Sequence, residues 1–279
     1  MVPAEEFRLH DSLEQFERDP RVFTTFLARR GAAKDDRDAL VVTGLNLHKQ
    51  RLLHDAKAFQ LAGDGGSKEI SEYLPDDIMA AVQSFASLHA LELPERFLVR
   101  VVLGKSNTEL YFDHFVPRWK EGEAISLQSF RAERPHAACK TTQTSVSRNA
   151  HQHALSKKAD EALLFDEEGL VTEGAWSNFF WFDKDGSLFT RGDHILPGIT
   201  RAILFQEVSL DFKSVSLEEL RLEAQEAFIG LSTYGLVPVR SIDSWELPGG
   251  APGTFTRSLL ELWQGFELEY SERLYVAPD

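Results

Sequence analysis

The sequence predicts an α+β protein of two domains. Three observations lead there. Strand-like and helix-like segments alternate without the regular β–α–β period of a parallel sheet. A polar stretch containing Pro and Gly, VPRWKEGE (116–123), interrupts the pattern. The chain has 279 residues, 43% of them hydrophobic and 20 of them Phe, enough for one large domain or two modest ones. A small N-terminal α/β domain is expected over 1–118 and a larger C-terminal domain over 124–279.

The elements follow in order. VFTTFLA (22–28) reads as a strand. Residues 46–63 place Leu52, Leu53, Ala56 and Phe59 at helical spacing, and 76–91 reads as a second helix with an acidic first turn. FLVRVVL (97–103) and ELYFDHF (109–115) are short β-rich runs. Beyond the junction, AISLQSF (124–130) is strand-like and 144–158 forms a polar-faced helix. Residues 161–190 read as strand, turn, strand, strand, turn, strand, with Glu168-Gly169 and Asp185-Gly186 as hairpin signals. The last helix covers 254–270.

Composition excludes several classes of function. Lys and Arg total 30 against 44 Asp and Glu, a net charge of −14, which disfavours a nucleic-acid partner. A single cysteine, Cys139, rules out an internal disulfide and fits a reducing cytoplasm. The acidic N-terminus lacks the apolar run of a signal peptide, and no stretch reaches the roughly 18 apolar residues of a membrane span. A cytoplasmic, globular protein is expected.

Apparent motifs fail when tested. LGKS (103–106) lacks the first glycine of a phosphate loop, since Val99 stands in its place. DKDG (183–186) lacks the closing acid of a calcium loop and reads as a hairpin turn. His151 and His153 diverge by about 200° on a helix and read as solvated residues, not ligands. No GxSxG elbow and no paired cysteines support hydrolase or zinc chemistry, and no metal site is expected.

A constellation remains. LPGITR (196–201) opens a helix at Ile199 and Thr200, where first-turn N–H groups lack intrahelical partners and a small anion fits. Lys140 follows an apolar approach, Ala137-Ala138-Cys139, and Glu173 lies at the end of a strand. Ser232 and Thr233 form a second hydroxyl cluster, and Arg51 stands in LHKQRL. An amine, a carboxylate, an arginine and two hydroxyl-and-amide clusters are what a phosphorylated pyridine aldehyde requires.

These residues also carry a resemblance. Lys140, the run ADEALLFDEEGLVTEGAWSNFFWF, ILPGITR, LHKQRL and GLVPVRSID together resemble the fold-type IV pyridoxal-phosphate enzymes, over about Val22 to Asp243. That family includes branched-chain and D-amino-acid aminotransferases and aminodeoxychorismate lyase. The resemblance implies a D-amino-acid aminotransferase-like fold, its larger domain barrel-like and carrying the lysine, with pyridoxal 5'-phosphate as cofactor. It implies that Lys140 is the Schiff-base lysine and proton shuttle, and that Glu173 pairs with the pyridine nitrogen. Arg51, the Ile199 and Thr200 amides, the Thr200 hydroxyl and Ser232 or Thr233 would bind the phosphate, and Leu196 would back the ring.

Gln143 and Thr144 depart from the family's usual Asn and Tyr after the lysine, and the customary N-terminal hairpin is absent. Phe23 and Thr25 are candidate substrate residues, and Arg100 is a candidate for a substrate carboxylate, whereas Arg29 and Arg30 read as ordinary charges. The expected reaction is transamination of an amino acid. A lyase releasing pyruvate from aminodeoxychorismate, and a cofactor-binding homologue with little turnover, are the alternatives. A homodimer is also implied.

Overall fold

The structure, a computed structural model, describes residues 12–30, 40–61, 84, 94–105 and 108–275. The helix expected over 76–91 lies outside the described residues, residue 84 apart. The chain divides into two compact units. One comprises the described residues of Met1–Val116 with Cys139–Gln143 and the residues from Glu267 onward; the other comprises Pro117–Ala138 and Thr144–Phe266.

The first unit holds helices α1 (Leu13–Arg18) and α2 (Leu45–Ala58) and strands β1 (Val22–Arg30), β2 (Leu40–Thr43), β3 (Arg96–Leu103) and β4 (Thr108–His114). A C-terminal strand, β14 (Ser271–Tyr275), completes an antiparallel sheet in the order β14-β2-β1-β3-β4. Neither β2 nor β14 is legible in the sequence: each is short, and β14 pairs with a strand more than 200 residues away. Strand alternation gives β1 two buried faces. Val22, Phe26 and Ala28 pack with Leu45, Leu52 and Ala56 of α2. Phe23 turns the other way and packs with Val102 and Tyr111.

The second unit holds a nine-stranded mixed sheet. Its strands are β5 (Ile125–Arg131), β6 (Glu161–Phe165), β7 (Val171–Gly174), β8 (Asn178–Phe182), β9 (Leu188–Thr190), β10 (Asp211–Phe212), β11 (Glu226–Leu231), β12 (Gly235–Ile242) and β13 (Trp245–Glu246). The order is β10-β9-β8-β11-β12-β5-β6-β7, with β13 on β12. Strand β8 is buried on both faces, as its unbroken Phe179-Phe180-Trp181-Phe182 run requires. Phe180 stacks on Phe228 of β11 at 4.9 Å.

Four helices flank this sheet: α3 (Ser145–Ser156), α4 (Ile199–Glu207), α5 (Leu217–Glu223) and α6 (Thr254–Glu269). Ala150 and Ala154 of α3 seat it on Ala162 and Leu164 of β6. His151 and His153 do diverge, but they are not simply solvated. His151 lies 3.8 Å from Glu161, and His153 packs on the Phe130 ring.

The lysine segment departs from the expected division. Residues 139–143, assigned by sequence to the larger domain, pack in the first unit. The Phe23 amide donates to the Lys140 carbonyl at 2.9 Å, the Thr142 amide donates to the Arg21 carbonyl at 3.0 Å, and Thr141 bridges to Val22. Main-chain pairing to the start of β1 outweighs the segment's position in the chain.

Candidate active site

In the second unit the site is built around a buried carboxylate. Glu173 ends β7 and is 3% exposed. A tight turn follows, closed by the Gly174 amide donating to the Ser177 carbonyl at 2.8 Å. A Cβ on Gly174 would lie 2.1 Å from the Ser177 hydroxyl, so a larger residue would force that side chain to shift. Oε1 of Glu173 accepts from Arg134 Nε at 2.7 Å, and a terminal guanidinium nitrogen lies at the same distance. Oε2 accepts from the Leu196 amide at 3.0 Å and from Asn178 Nδ2 at 3.4 Å. Arg134 also donates to the Ala137 carbonyl at 2.7 Å, tying the stretch after β5 to the carboxylate. A charge-assisted contact of this kind is about twice as strong as a neutral hydrogen bond.

Leu196 therefore enters the site through its backbone. Its amide holds Glu173, and its carbonyl accepts from Asn178 Nδ2 at 2.9 Å. The loop it begins leads into α4, whose N-cap is Gly198. Asn178 presses against that residue so closely that a Cβ on Gly198 would meet Oδ1 at 2.1 Å. No side chain caps the helix, which leaves the first-turn amides at Ile199 and Thr200 available to an acceptor. Thr200 is buried, and its hydroxyl has no partner among the described residues. Gly230 of β11 lies against Thr200, and just beyond it Ser232 and Thr233 form the turn into β12. An uncapped helix start with an unpartnered buried hydroxyl fits a phosphate.

In the first unit, Arg51 and Lys140 both approach β1. Arg51 of α2 donates to the Thr24 hydroxyl at 3.1 Å, and that hydroxyl lies 2.7 Å from His48 Nδ1. Burial holds the His48 imidazole well below its ordinary pKa, and the positive charges of Arg51 and Lys140 push it the same way. The Thr24 hydroxyl thus bridges the Arg51 guanidinium and the His48 ring. Lys140 is pinned at its backbone, where its amide donates to Asp55 Oδ2 at 2.9 Å. Its amine lies over the Phe23 ring, 4.9 Å from the centroid. Thr25 shares the Phe23 face of β1 and accepts from Arg100 Nε at 3.1 Å. Burial lowers the Arg100 pKa, with Asp113 and Tyr111 opposing. Gln143 and Thr144, which depart from the family pattern, are both buried, and the Thr144 hydroxyl has no partner among the described residues.

Arg134, Asn178, Asp55 and His48 escaped the sequence reading as functional residues. Arg134 lies 39 positions before Glu173 and Asp55 lies 85 before Lys140, so neither pair has a local signature. His48 stands three positions before Arg51, and that spacing was the one available signal.

The second unit thus offers a buried, guanidinium-fixed carboxylate and an uncapped helix start, and the first unit an amine over an aromatic strand residue. The chain belongs to the class IV aminotransferase family, whose family model matches residues 21–242. It is 38% identical to the D-alanine aminotransferase of Bacillus licheniformis over 116 residues, covering 38% of this chain and 40% of that protein. The chain thus spans about two fifths of the length of that curated relative. Among solved structures, it is similar to a branched-chain aminotransferase from Thermoproteus uzoniensis with norvaline. The TM-score is 0.79 and the identity 23%, covering 98% of this chain and 96% of that one. It is also similar to a second branched-chain amino acid aminotransferase (T.th.), complexed with N-(5'-phosphopyridoxyl)-L-glutamate. There the TM-score is 0.75 and the identity 21%, over 96% and 92% of the two chains. These likenesses establish the expected fold, fold type IV.

The geometry makes two outcomes measurable. Arg134→Ala leaves Glu173 buried without its cation and should cost about 3 kcal/mol of unfolding free energy. Combining it with Glu173→Gln should recover part of that loss, measured as a double-mutant cycle in denaturant; strictly additive losses would show that the pair is not coupled. The second concerns His48. Because its folded pKa lies well below 6.5, the unfolded chain binds the extra proton. Its contribution is fully present above about pH 6.5 and is lost as pH falls toward the folded pKa. Stability measured between pH 7 and pH 5 should fall more steeply for the wild type than for His48→Gln; equal slopes would rule out the histidine.

Proposed function

We propose that this protein is a pyridoxal-phosphate-dependent aminotransferase acting on an amino acid of the branched-chain or D-amino-acid type. The observation that carries the reading is the helix start at Gly198, uncapped and with the Thr200 hydroxyl unpartnered among the described residues. Family membership over residues 21–242 supports it. Bound pyridoxal phosphate supplies an electron sink for a carbanion at the substrate α-carbon.

The chain's own residues would do the rest. Lys140 would carry the cofactor through its amine and move the α-proton. Glu173 would hold a proton at the ring nitrogen, with Arg134 and the Leu196 amide fixing its orientation. The Ile199 and Thr200 amides, the Thr200 hydroxyl, Arg51 and Ser232 or Thr233 would hold the phosphate, and Leu196 would back the ring. Phe23, Thr25 and Arg100 would meet the substrate, Arg100 as the cation for its carboxylate.

Borohydride reduction of the cofactor-loaded protein, followed by peptide mapping, should place a pyridoxyl label on Lys140. Incubation with single L- and D-amino acids should convert the bound chromophore to the pyridoxamine form and release the matching keto acid. Glu173→Gln should keep the cofactor yet turn over roughly a hundredfold more slowly. A label on another lysine ends the assignment. Formation of 4-aminobenzoate from aminodeoxychorismate, with no amino-group transfer, would replace transamination by the lyase reaction.

We further propose that it works as a homodimer, the commonest closed assembly. Phe205, Phe212, Leu222 and Leu262 are large apolar side chains left exposed on the single chain. Sedimentation equilibrium should give twice the 31.5 kDa chain mass. A fully active monomer would refute this.

A further inference from the structure

We propose that His54, Asp55 and Cys139 form a binding site for a thiophilic divalent cation, with Zn²⁺ the ion its donors suit. The three side chains each offer one ligand atom, and these atoms all lie within 4.8 Å of one another. All three residues belong to the first unit. His54 and Asp55 are consecutive near the end of α2, and Cys139 immediately precedes Lys140.

The donor set decides which ion fits. Magnesium and calcium favour all-oxygen shells, whereas a thiolate, an imidazole and a carboxylate together suit zinc. Zinc bonds of about 2.0–2.3 Å in a tetrahedron put neighbouring donors about 3.3–3.8 Å apart. Small side-chain rotations would close the present spacing to that range. His54 Nδ1 already lies 3.3 Å from Asp55 Oδ1.

The surroundings fit an ion as well. Asp55 is fully buried, and its other oxygen is oriented by the Lys140 amide at 2.9 Å, as outer hydrogen bonds orient metal-binding carboxylates. The His54 side chain is 68% exposed, so an ion could enter from solvent and take water as a fourth ligand. Three protein ligands and one open position suit a reversible site. A bound cation would clasp the end of α2 to the residue beside Lys140, coupling metal availability to the segment that bears the lysine. The site stands independently of the activity proposed above.

The test uses the full chain without cofactor. Zn²⁺ is titrated in competition with a chromophoric chelator, and Co²⁺ is bound separately to look for a thiolate charge-transfer band. One equivalent of Zn²⁺ should bind. His54→Ala and Cys139→Ser should each weaken it at least about tenfold. His54 is exposed, so its replacement leaves the fold intact. Cys139 is the only cysteine, so the Co²⁺ band, and protection of the thiol from alkylation by Zn²⁺, report on this site alone. Unchanged affinity in both variants would overturn the proposal. An effect of Cys139→Ser with none of His54→Ala would also overturn it, showing capture by a single thiol.

Discussion

The second unit's site depends on the burial of one carboxylate. Taking the Glu173 side chain out of water costs several kcal/mol unless its charge is matched and its oxygens are satisfied. Three separate segments meet that demand: Arg134 from the stretch after β5, Leu196 from the loop before α4, and Asn178 from the start of β8. Satisfying the charge therefore positions all three. Asn178 then touches Gly198 and holds the Leu196 carbonyl, so the uncapped start of α4 is placed by the same network. An uncapped helix start and a buried carboxylate are set by one electrostatic constraint.

The first unit uses the same device at the lysine. Asp55 is fully buried and spends one oxygen on the Lys140 amide, while β1 takes the Lys140 carbonyl. With the main chain held on both sides of the residue, any adjustment falls to its side chain, whose amine lies over Phe23. At Thr24 of β1, the neutral His48 and the threonine hydroxyl hold Arg51 without adding charge. A protonated ring there would repel the guanidinium across a buried contact.

Arg134 changes how Glu173 is to be understood. A carboxylate facing only a ring nitrogen would share its proton freely. One that also grips a guanidinium is held as an acceptor whose charge is already partly committed. The amide of Leu196 on the second oxygen adds to that effect. In the aminotransferase reading, the strength with which Glu173 holds the ring proton is set jointly by these partners and cannot be judged from the glutamate alone. Arg100, tied to Thr25 on the Phe23 face, is likewise a partly desolvated cation held by a neighbour.

The sequence by itself determined most of the elements and most of the proposed cofactor residues. Apolar β-rich runs and helical spacing located β1, β3 and α2, the Gly-marked turns located β6 to β9, and LPGITR marked the start of α4. Signals of this kind are local, because propensity, turn chemistry and amphipathic period act within a few residues. What the sequence missed is non-local. Strands β2 and β14 exist only as partners in a sheet, Arg134 and Asp55 matter only through contacts 39 and 85 positions away, and residues 139–143 join the first unit through backbone pairing to β1. Tertiary structure decided these because a buried charge or an unpaired amide is satisfied by whatever group is near in space, and chain order does not record that distance.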